Sequence, residues 1–174
     1  MAYPLHNCLP KDDELGFIAS IKLRTWMVAA VVFAALSVSP ASSKPRDTAG
    51  LCEHATAGQE SARRIPRKLL HAISIAESGR WNKIRRENTA WPWTVTSGGK
   101  GRYLPTKQAA IRAVRKLKRQ GVRNIDVGCM QINLKYHPKA FKSLDDAFDP
   151  AKNTAYAAEF LVKLRQDKRS WVQA

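Results

Sequence analysis

The feature that most constrains the fold is a short amphipathic run that ends in Glu77-Ser78-Gly79. Pro66 opens this run, and a proline favours the first positions of a helix. Gly79 follows the last apolar residue, where a glycine is typical of a helix end. The apolar residues between them recur at helical spacing: Leu69, Leu70, Ile73 and Ala76. The pattern therefore predicts a helix over residues 67–78 with a carboxylate in its last turn.

Glu77 is the candidate general acid on this helix. It follows Ile73 by four residues and Leu70 by seven, so its carboxylate is predicted to project from the apolar stripe. Burial and the negative end of the helix dipole both favour the protonated acid. A carboxylic acid that is neutral near neutral pH suits general acid catalysis. The alternative is that Glu77 only caps the edge of the stripe and reaches water past Gly79.

The segment Gly128–Asn133 is the second informative element. Gly128 permits close approach of the backbone to a partner. Gln131 and Asn133 are two positions apart and would face the same side of an extended segment. Amides both donate and accept hydrogen bonds, which suits sugar hydroxyl and acetamido groups. The alternative is an ordinary buried turn with satisfied amides.

Glu-Ser-Gly on a helix, followed by Gly-x-Met-Gln-Ile-Asn, resembles the catalytic domain of the lytic transglycosylases. These are lysozyme-superfamily enzymes that cleave peptidoglycan. From Cys52 to Ala174 the chain resembles a bacterial subfamily with a Trp-Pro-Trp-Thr insertion, here Trp91 to Thr94. An Asp-Pro-x-x-Asn helix start, Asp149 to Asn153, follows in the expected order. Cys129 stands where the wider family commonly has leucine.

The resemblance implies a mainly α (α+β) fold, a lysozyme-like helical domain with a small irregular or β-hairpin lobe. It implies cleavage of the β-1,4 bond between N-acetylmuramic acid and N-acetylglucosamine, leaving a 1,6-anhydro end. Glu77 would act as acid and then as base, with no metal and no cofactor. The residues implied to contact the substrate or the acid are Ser78, Trp91, Trp93, Met130, Gln131, Asn133 and Tyr156.

Some of these residues carry a specific expected role. Met130 would pack behind Glu77, and Ser78 would hydrogen-bond nearby backbone or the acid itself. Trp91 and Trp93 flank Pro92, which stiffens the segment and would present a flat aromatic face to a sugar. The alternative is that the tryptophans cover the core under a long loop.

The family's third motif places a tyrosine on a later helix. Ser170 to Ala174 correspond to the start of that helix, so the domain is expected to be truncated at its C-terminus. Tyr156 lies on the preceding helix and is not assigned the missing role.

Charge keeps two other function classes open. Lys and Arg number 30 against 14 Asp and Glu, a net charge of +16, which favours polyanions such as peptidoglycan stems or nucleic acid. No helix-turn-helix or zinc spacing supports groove reading, so no nucleic-acid partner is expected. A non-catalytic peptidoglycan binder and a nucleic-acid-binding basic protein stay open as alternative functions. A muramidase, with Asp126 as the nearest candidate for a second acid, also stays open.

Residues 1–41 resemble a signal peptide or leader. Lys22 and Arg24 precede the uncharged stretch Thr25–Ser43, whose apolar centre is too short to span a bilayer comfortably. Ser39-Pro40-Ala41 offers a cleavage site, so residues 42–174 are expected to form an exported, periplasmic domain. The alternative is an uncleaved membrane anchor. Expected partners are glycan strands, and the resemblance also allows secretion-system or flagellar assembly proteins.

Cleavage would remove Cys8 and leave Cys52 and Cys129. In an exported chain these two predict a disulfide. The alternative is a buried, apolar Cys129 and a free Cys52. A metal site that adds His71 and His137 lacks recognised ligand spacing.

The remaining elements follow from local patterns. A short helix is predicted around Cys52–Gly58, and residues 81–105 are predicted as loops with a small hairpin. Thr106 is predicted to cap a basic helix over residues 107–120. Asp149-Pro150 is predicted to open a helix. That helix would turn the following residues toward the core: Ala155, Tyr156, Phe160, Leu161 and Leu164.

Overall fold

A computed structural model describes residues 48–174, which form an α+β arrangement. After a 3-10 turn at Thr48–Gly50, helices α1 to α5 are Leu51–Arg63, Leu69–Ser78, Lys107–Arg119, Leu144–Ala147 and Pro150–Lys168. Strands β1 to β6 are Gly79–Asn82, Glu87–Ala90, Thr94–Ser97, Lys100–Tyr103, Asp126–Val127 and Ile132–Asn133. The predicted leader, its cleavage site and Cys8 lie outside the described residues. Within residues 48–174, no helix is long and apolar enough to cross a bilayer.

The strands form two small antiparallel sheets. β1 pairs only with β2, and the second sheet has the order β4-β3-β5-β6. Residues 81–105 were predicted to hold one small hairpin, but the structure has two, β1–β2 and β3–β4. The turn of the β1–β2 hairpin contains no glycine or proline that would indicate it. A side chain stabilises it instead: Asn82 Oδ1 accepts hydrogen bonds from the backbone N–H groups of Ile84 and Arg85.

Helix α2 begins two residues later than predicted. Lys68 has a left-handed backbone conformation with a φ of 69°, which interrupts the expected helix before Leu69. The buried carboxylate of Glu60, on α1, accepts hydrogen bonds from Lys68 N at 2.8 Å and His71 N at 3.1 Å. Glu60 therefore satisfies early N–H groups that a local cap would otherwise bind.

Helix α1 is longer than predicted, because it continues past Gly58 to Arg63. Cys52 in its first turn and Cys129 are fully buried and form a disulfide, with 5.7 Å between their Cα atoms. The bridge lies in a core cluster of buried residues that includes Leu70 of α2 and Ala158 of α5. It therefore ties α1 to the turn between β5 and β6.

A second core cluster lies against the larger sheet. Its buried residues are Val95, Ala110, Ile111, Val114, Ile125, Val127, Ala147 and Phe148. The predicted cap is confirmed, because Thr106 Oγ1 accepts a hydrogen bond from Ala109 N. Helix α3 ends at Arg119, and Gly121 follows with a φ of 79°.

The start of α5 is confirmed, and its inward face is confirmed in part, because Leu161 packs against the core cluster around the disulfide. Asp149 Oδ1 accepts a hydrogen bond from Lys152 N, as an N-cap does. The fully buried residues are Asn153, Thr154 and Ala158, whereas Phe160 is 43% exposed. The apolar pattern did not indicate this face because two of its three buried residues, Asn153 and Thr154, are polar.

Asn153 links three elements through its side chain. Its Oδ1 accepts a hydrogen bond from Met130 N at 2.9 Å. Its Nδ2 donates to Val127 O at 3.1 Å and to Ala147 O at 3.0 Å. Gly128 lies directly against this amide, because a Cβ there would be 2.4 Å from Asn153 Nδ2.

We expect Gly128→Ala to lower the free energy of unfolding by about 2–4 kcal/mol. The new methyl group meets the Asn153 amide, and the φ of 83° is unfavourable for alanine. Urea denaturation measures the change. Gly58→Ala is the control, since a Cβ at Gly58 in α1 has nothing within 4 Å and should stabilise the helix by about 0.5–1 kcal/mol. Equal stability changes in the two variants would contradict the prediction.

Candidate active site

Three segments that are distant in sequence meet through backbone atoms. Trp91 N donates to Ser78 O at 3.0 Å, and Gly128 N donates to Thr94 O at 3.0 Å. Ser78 Oγ donates to Cys129 O at 2.8 Å and closes the triangle. The end of α2, the Trp91–Thr94 segment and the Gly128–Asn133 segment thus form one hydrogen-bonded unit.

Ser78 anchors the end of α2 from inside this unit. It is 1% exposed, and its hydroxyl also lies 3.1 Å from Ser74 O. A hydroxyl carries a single hydrogen, so the two carbonyls share it. Of the two roles expected for Ser78, the structure shows the hydrogen bonds to backbone.

Glu77 lies beside the buried face of α2 and not on it. The line Leu70, Ser74, Ser78 faces the core, and the Glu77 side chain is exposed. The prediction that its carboxylate projects from the apolar stripe is therefore wrong, because the stripe continues through serines that pack closely against the core. The pKa of the Glu77 carboxyl is nevertheless raised, first by partial burial and then by the negative charge of Asp126.

Asp126 and Asn133 face each other across the β5–β6 pair. Asn133 Nδ2 donates to Asp126 Oδ1 at 2.7 Å and to Asn124 Oδ1 at 2.6 Å. Asn133 Oδ1 accepts hydrogen bonds from the backbone of Lys135 and Tyr136. Asn133 therefore fixes the carboxylate whose charge acts on Glu77.

Gln131 lies in a tight turn and not in an extended strand. Residues 128–131 turn between β5 and β6, with a φ of 44° at Gln131. Its Nε2 donates to Gly128 O at 2.9 Å and to Thr94 O at 3.3 Å. The expectation that Gln131 and Asn133 share one face of an extended segment is therefore wrong.

The other end of the Gln131 amide is unusual. Within residues 48–174, its Oε1 is buried and has no hydrogen-bond partner. An acceptor that is buried without a partner costs about 1–3 kcal/mol. Gln131 thus combines an unpaired acceptor with a left-handed backbone.

Met130 belongs to the core beneath the turn. It is 7% exposed and packs in the cluster with Cys52, Cys129 and Leu70. Its backbone N–H donates to Asn153, so the side chain and the main chain both hold the turn in place.

Trp91 does not present a flat face to solvent. It is 7% exposed, its Nε1 donates to Leu104 O at 2.7 Å, and the Arg80 guanidinium carbon lies 3.3 Å from the ring centroid. Trp93 is half-buried, meets Trp91 edge-on and packs against the second core cluster. The alternative, that these rings cover the core, describes Trp91 better. Of the tryptophans in residues 48–174, Trp81 is the exposed one, at 59%.

Tyr156 belongs to a different aromatic group. Its hydroxyl lies 2.8 Å from His137 Nδ1, and its ring contacts His137 and Phe141. Burial and then the charge of Glu159 raise the pKa of its hydroxyl. These contacts give Tyr156 a packing role on α5 and do not join it to Glu77 and Asp126.

Sequence reasoning missed Arg80, Trp81 and the role of Asn153. Asn153 had a signal, since it closes the Asp-Pro-x-x-Asn start of α5. Arg80 and Trp81 directly follow the motif glycine, and alternation along β1 would have separated their faces. No group of three His, Cys, Asp or Glu side chains suited to a metal occurs in the described part of the chain.

For the peptidoglycan cleavage that the resemblance implies, we expect Asp126→Asn to move the alkaline limb of the pH–rate profile to lower pH. The charge of Asp126 raises the pKa of Glu77, so its removal lowers that pKa and depletes the protonated acid sooner as pH rises. The new amide oxygen still accepts from Asn133. Initial rates of fragment release across pH measure the shift. Asp167→Asn, at an exposed position on α5, is the charge-matched control. An unmoved limb would contradict the coupling.

In comparisons with known proteins, no family model matched the chain, and no significant match was found among curated proteins or solved structures. Function therefore has to be inferred from the residues and their geometry.

Proposed function

We propose that this chain is a peptidoglycan lytic transglycosylase with a lysozyme-like domain and Glu77 as its acid and base. One observation carries the proposal: the three segments on which the resemblance depends are hydrogen-bonded to one another around the end of α2. An exposed acid with a raised pKa lies at that point. Nothing in local sequence requires residues 50 positions apart to meet there.

In the proposed reaction, protonated Glu77 gives its proton to the glycosidic oxygen as the bond from C1 to that oxygen breaks. The resulting carboxylate then accepts the proton of the muramic acid C6 hydroxyl while O6 bonds to C1. The proton returns to Glu77, and a 1,6-anhydro end forms without water. The substrate's acetamido group can stabilise positive charge at C1, so a second carboxylate is not demanded.

The interaction of Asp126 with Glu77 supports a second candidate, a muramidase. Glycoside hydrolases generally use two carboxylates, one of which stays ionised while the other is kept protonated. Asp126 would activate water or stabilise charge at C1. The product would then have a reducing end.

An exported, periplasmic location is part of the same proposal. A buried disulfide fits an oxidising compartment, and the charge of +16 attracts the carboxylates of peptidoglycan. The basic surface alone also suits a wall binder without activity or a nucleic-acid binder, so product chemistry has to decide.

The test is mass spectrometry of soluble fragments after incubation of the full chain with purified sacculi. Anhydro-muropeptides would support the transglycosylase, and reducing muropeptides would support the muramidase. Retention on sacculi without release would leave a wall binder. Absence of both binding and release would reject all three.

A further inference from the structure

Arg80 is held in place by a contact of its side chain and by a hydrogen bond to the backbone just before it. It lies on β1, three residues after Glu77. Its guanidinium carbon is 3.3 Å from the centroid of the Trp91 ring. Trp91 is itself fixed by its hydrogen bond to Leu104 O and by its contact with Trp93.

A second tether fixes the backbone just before Arg80. Tyr103, at the end of β4, donates its hydroxyl hydrogen to Gly79 O at 2.6 Å. The two hairpins are thereby joined at the residue that links Glu77-Ser78 to Arg80. The Arg80 guanidinium therefore extends from a strand whose backbone is held by Tyr103 and not from an unsupported loop.

Arg80 is a cation that has no carboxylate partner within residues 48–174. Among the described residues, ion pairs occupy Lys68, Arg85, Lys107 and Lys152, and none involves Arg80. The side chain is half-buried, and burial lowers the pKa of its guanidinium. Its guanidinium forms no ion pair with a carboxylate of residues 48–174, Glu77 included.

We propose that Arg80 binds a carboxylate of the glycan strand beside the bond that Glu77 cleaves. This inference rests on the proposed function. A guanidinium donates two parallel hydrogen bonds to a carboxylate from its edge, so contact of one face with an aromatic ring leaves that recognition possible. Peptidoglycan offers such carboxylates on muramic acid lactyl groups freed of peptide and on the peptide stems.

The experiment measures binding without turnover, using isothermal titration calorimetry on the full chain carrying Glu77→Gln. The ligands are stem-free glycan oligomers with free lactyl carboxylates, oligomers that keep their stems, and both after carbodiimide amidation. Adding Arg80→Gln should weaken binding of a carboxylate-bearing ligand about tenfold, because a bidentate charged hydrogen bond is lost. The amidated ligands should bind both proteins equally.

Lys83→Gln in the same background is the matched control. Lys83 is an exposed cation in the β1–β2 turn, so its removal changes the net charge equally. We expect it to change binding less than twofold, as for a screened surface charge. A thermal melt checks the fold, and Arg80→Lys provides a second variant that keeps a cation but loses the planar fork.

Loss of binding to any carboxylate-bearing ligand that is absent for its amidated form supports the Arg80 inference. Loss confined to stem-free strands identifies the lactyl group, and loss confined to strands with stems identifies the peptide carboxylates. Equal loss on native and amidated ligands, or no loss, overturns the Arg80 inference while leaving Glu77 catalysis intact. Failure of every ligand to bind the parent variant overturns the proposed function and the inference together.

Discussion

Glu77→Gln is expected to reduce release of soluble muropeptides by a factor between about 10² and 10⁴, the usual contribution of a general acid or base. Glutamine keeps the size and shape of the side chain but has no proton to transfer. Initial rates of fragment release from sacculi, quantified by mass spectrometry, measure the effect. Lytic activity equal to that of the parent would contradict the assignment of Glu77.

The same variant should be more stable than the parent at neutral pH, which separates lost catalysis from lost fold. The folded-state pKa of Glu77 lies above its usual value of 4.5, so the folded state disfavours the charged form. The stability of the parent therefore declines as pH rises from the pKa of Glu77 in the unfolded state to its higher pKa in the folded state. Glutamine does not titrate, so the variant does not show this decline.

Calorimetric melting across pH measures this difference. We expect a higher Tm for Glu77→Gln at pH 7 and equal Tm values well below 4.5, where the acid is protonated in both states. Glu87→Gln, at an exposed position on β2, controls for the loss of one negative charge. A lower Tm for Glu77→Gln at pH 7 would mean that damage to the fold explains any lost activity.

Removal of the disulfide with Cys52→Ala and Cys129→Ala is expected to lower the free energy of unfolding by about 4 kcal/mol. The bridge joins residues 77 positions apart, and a loop of that length restricts the unfolded chain strongly. Urea denaturation measures the loss. Activity should fall as well, because the bridge holds the turn whose backbone oxygen, Cys129 O, accepts the Ser78 hydroxyl at the end of α2.

Reduction of the parent protein provides the matched comparison. A phosphine reductant should bring the urea midpoint of the parent close to that of the double variant and leave the variant unchanged. A parent whose midpoint is insensitive to complete reduction would show that the bridge contributes little to stability.

Local chemistry predicted the helix starts well where a cap lies beside its helix. Thr106 and Asp149 each accept a hydrogen bond from the N–H three residues on, and both caps were readable. The start of α2 was not, because its early N–H groups are satisfied by Glu60, eight residues or more upstream on another helix. A remote cap leaves no local pattern.

In the candidate site, too, features set by local sequence were predicted and features set by remote contacts were not. The sequence located Glu77 and the Gly128–Asn133 segment, since both lie in short motifs. It misjudged Trp91, because whether a ring faces solvent depends on Arg80 and Leu104, which contact it only in the folded chain. The extended conformation expected at Gln131 was wrong for a similar reason: the turn, which the sequence left open as the alternative, depends on contacts with Thr94.

The Cys52–Cys129 bridge also closes residues 52–129 into a covalent loop. Glu77, both hairpins and α3 lie inside the closed loop, and α5 extends from it. A protease that cut the exposed turn at residues 83–86 would open the backbone without releasing a fragment. The nicked protein would keep its pieces joined until both the bridge and the packing around it were lost, so damage from proteolysis would accumulate in steps.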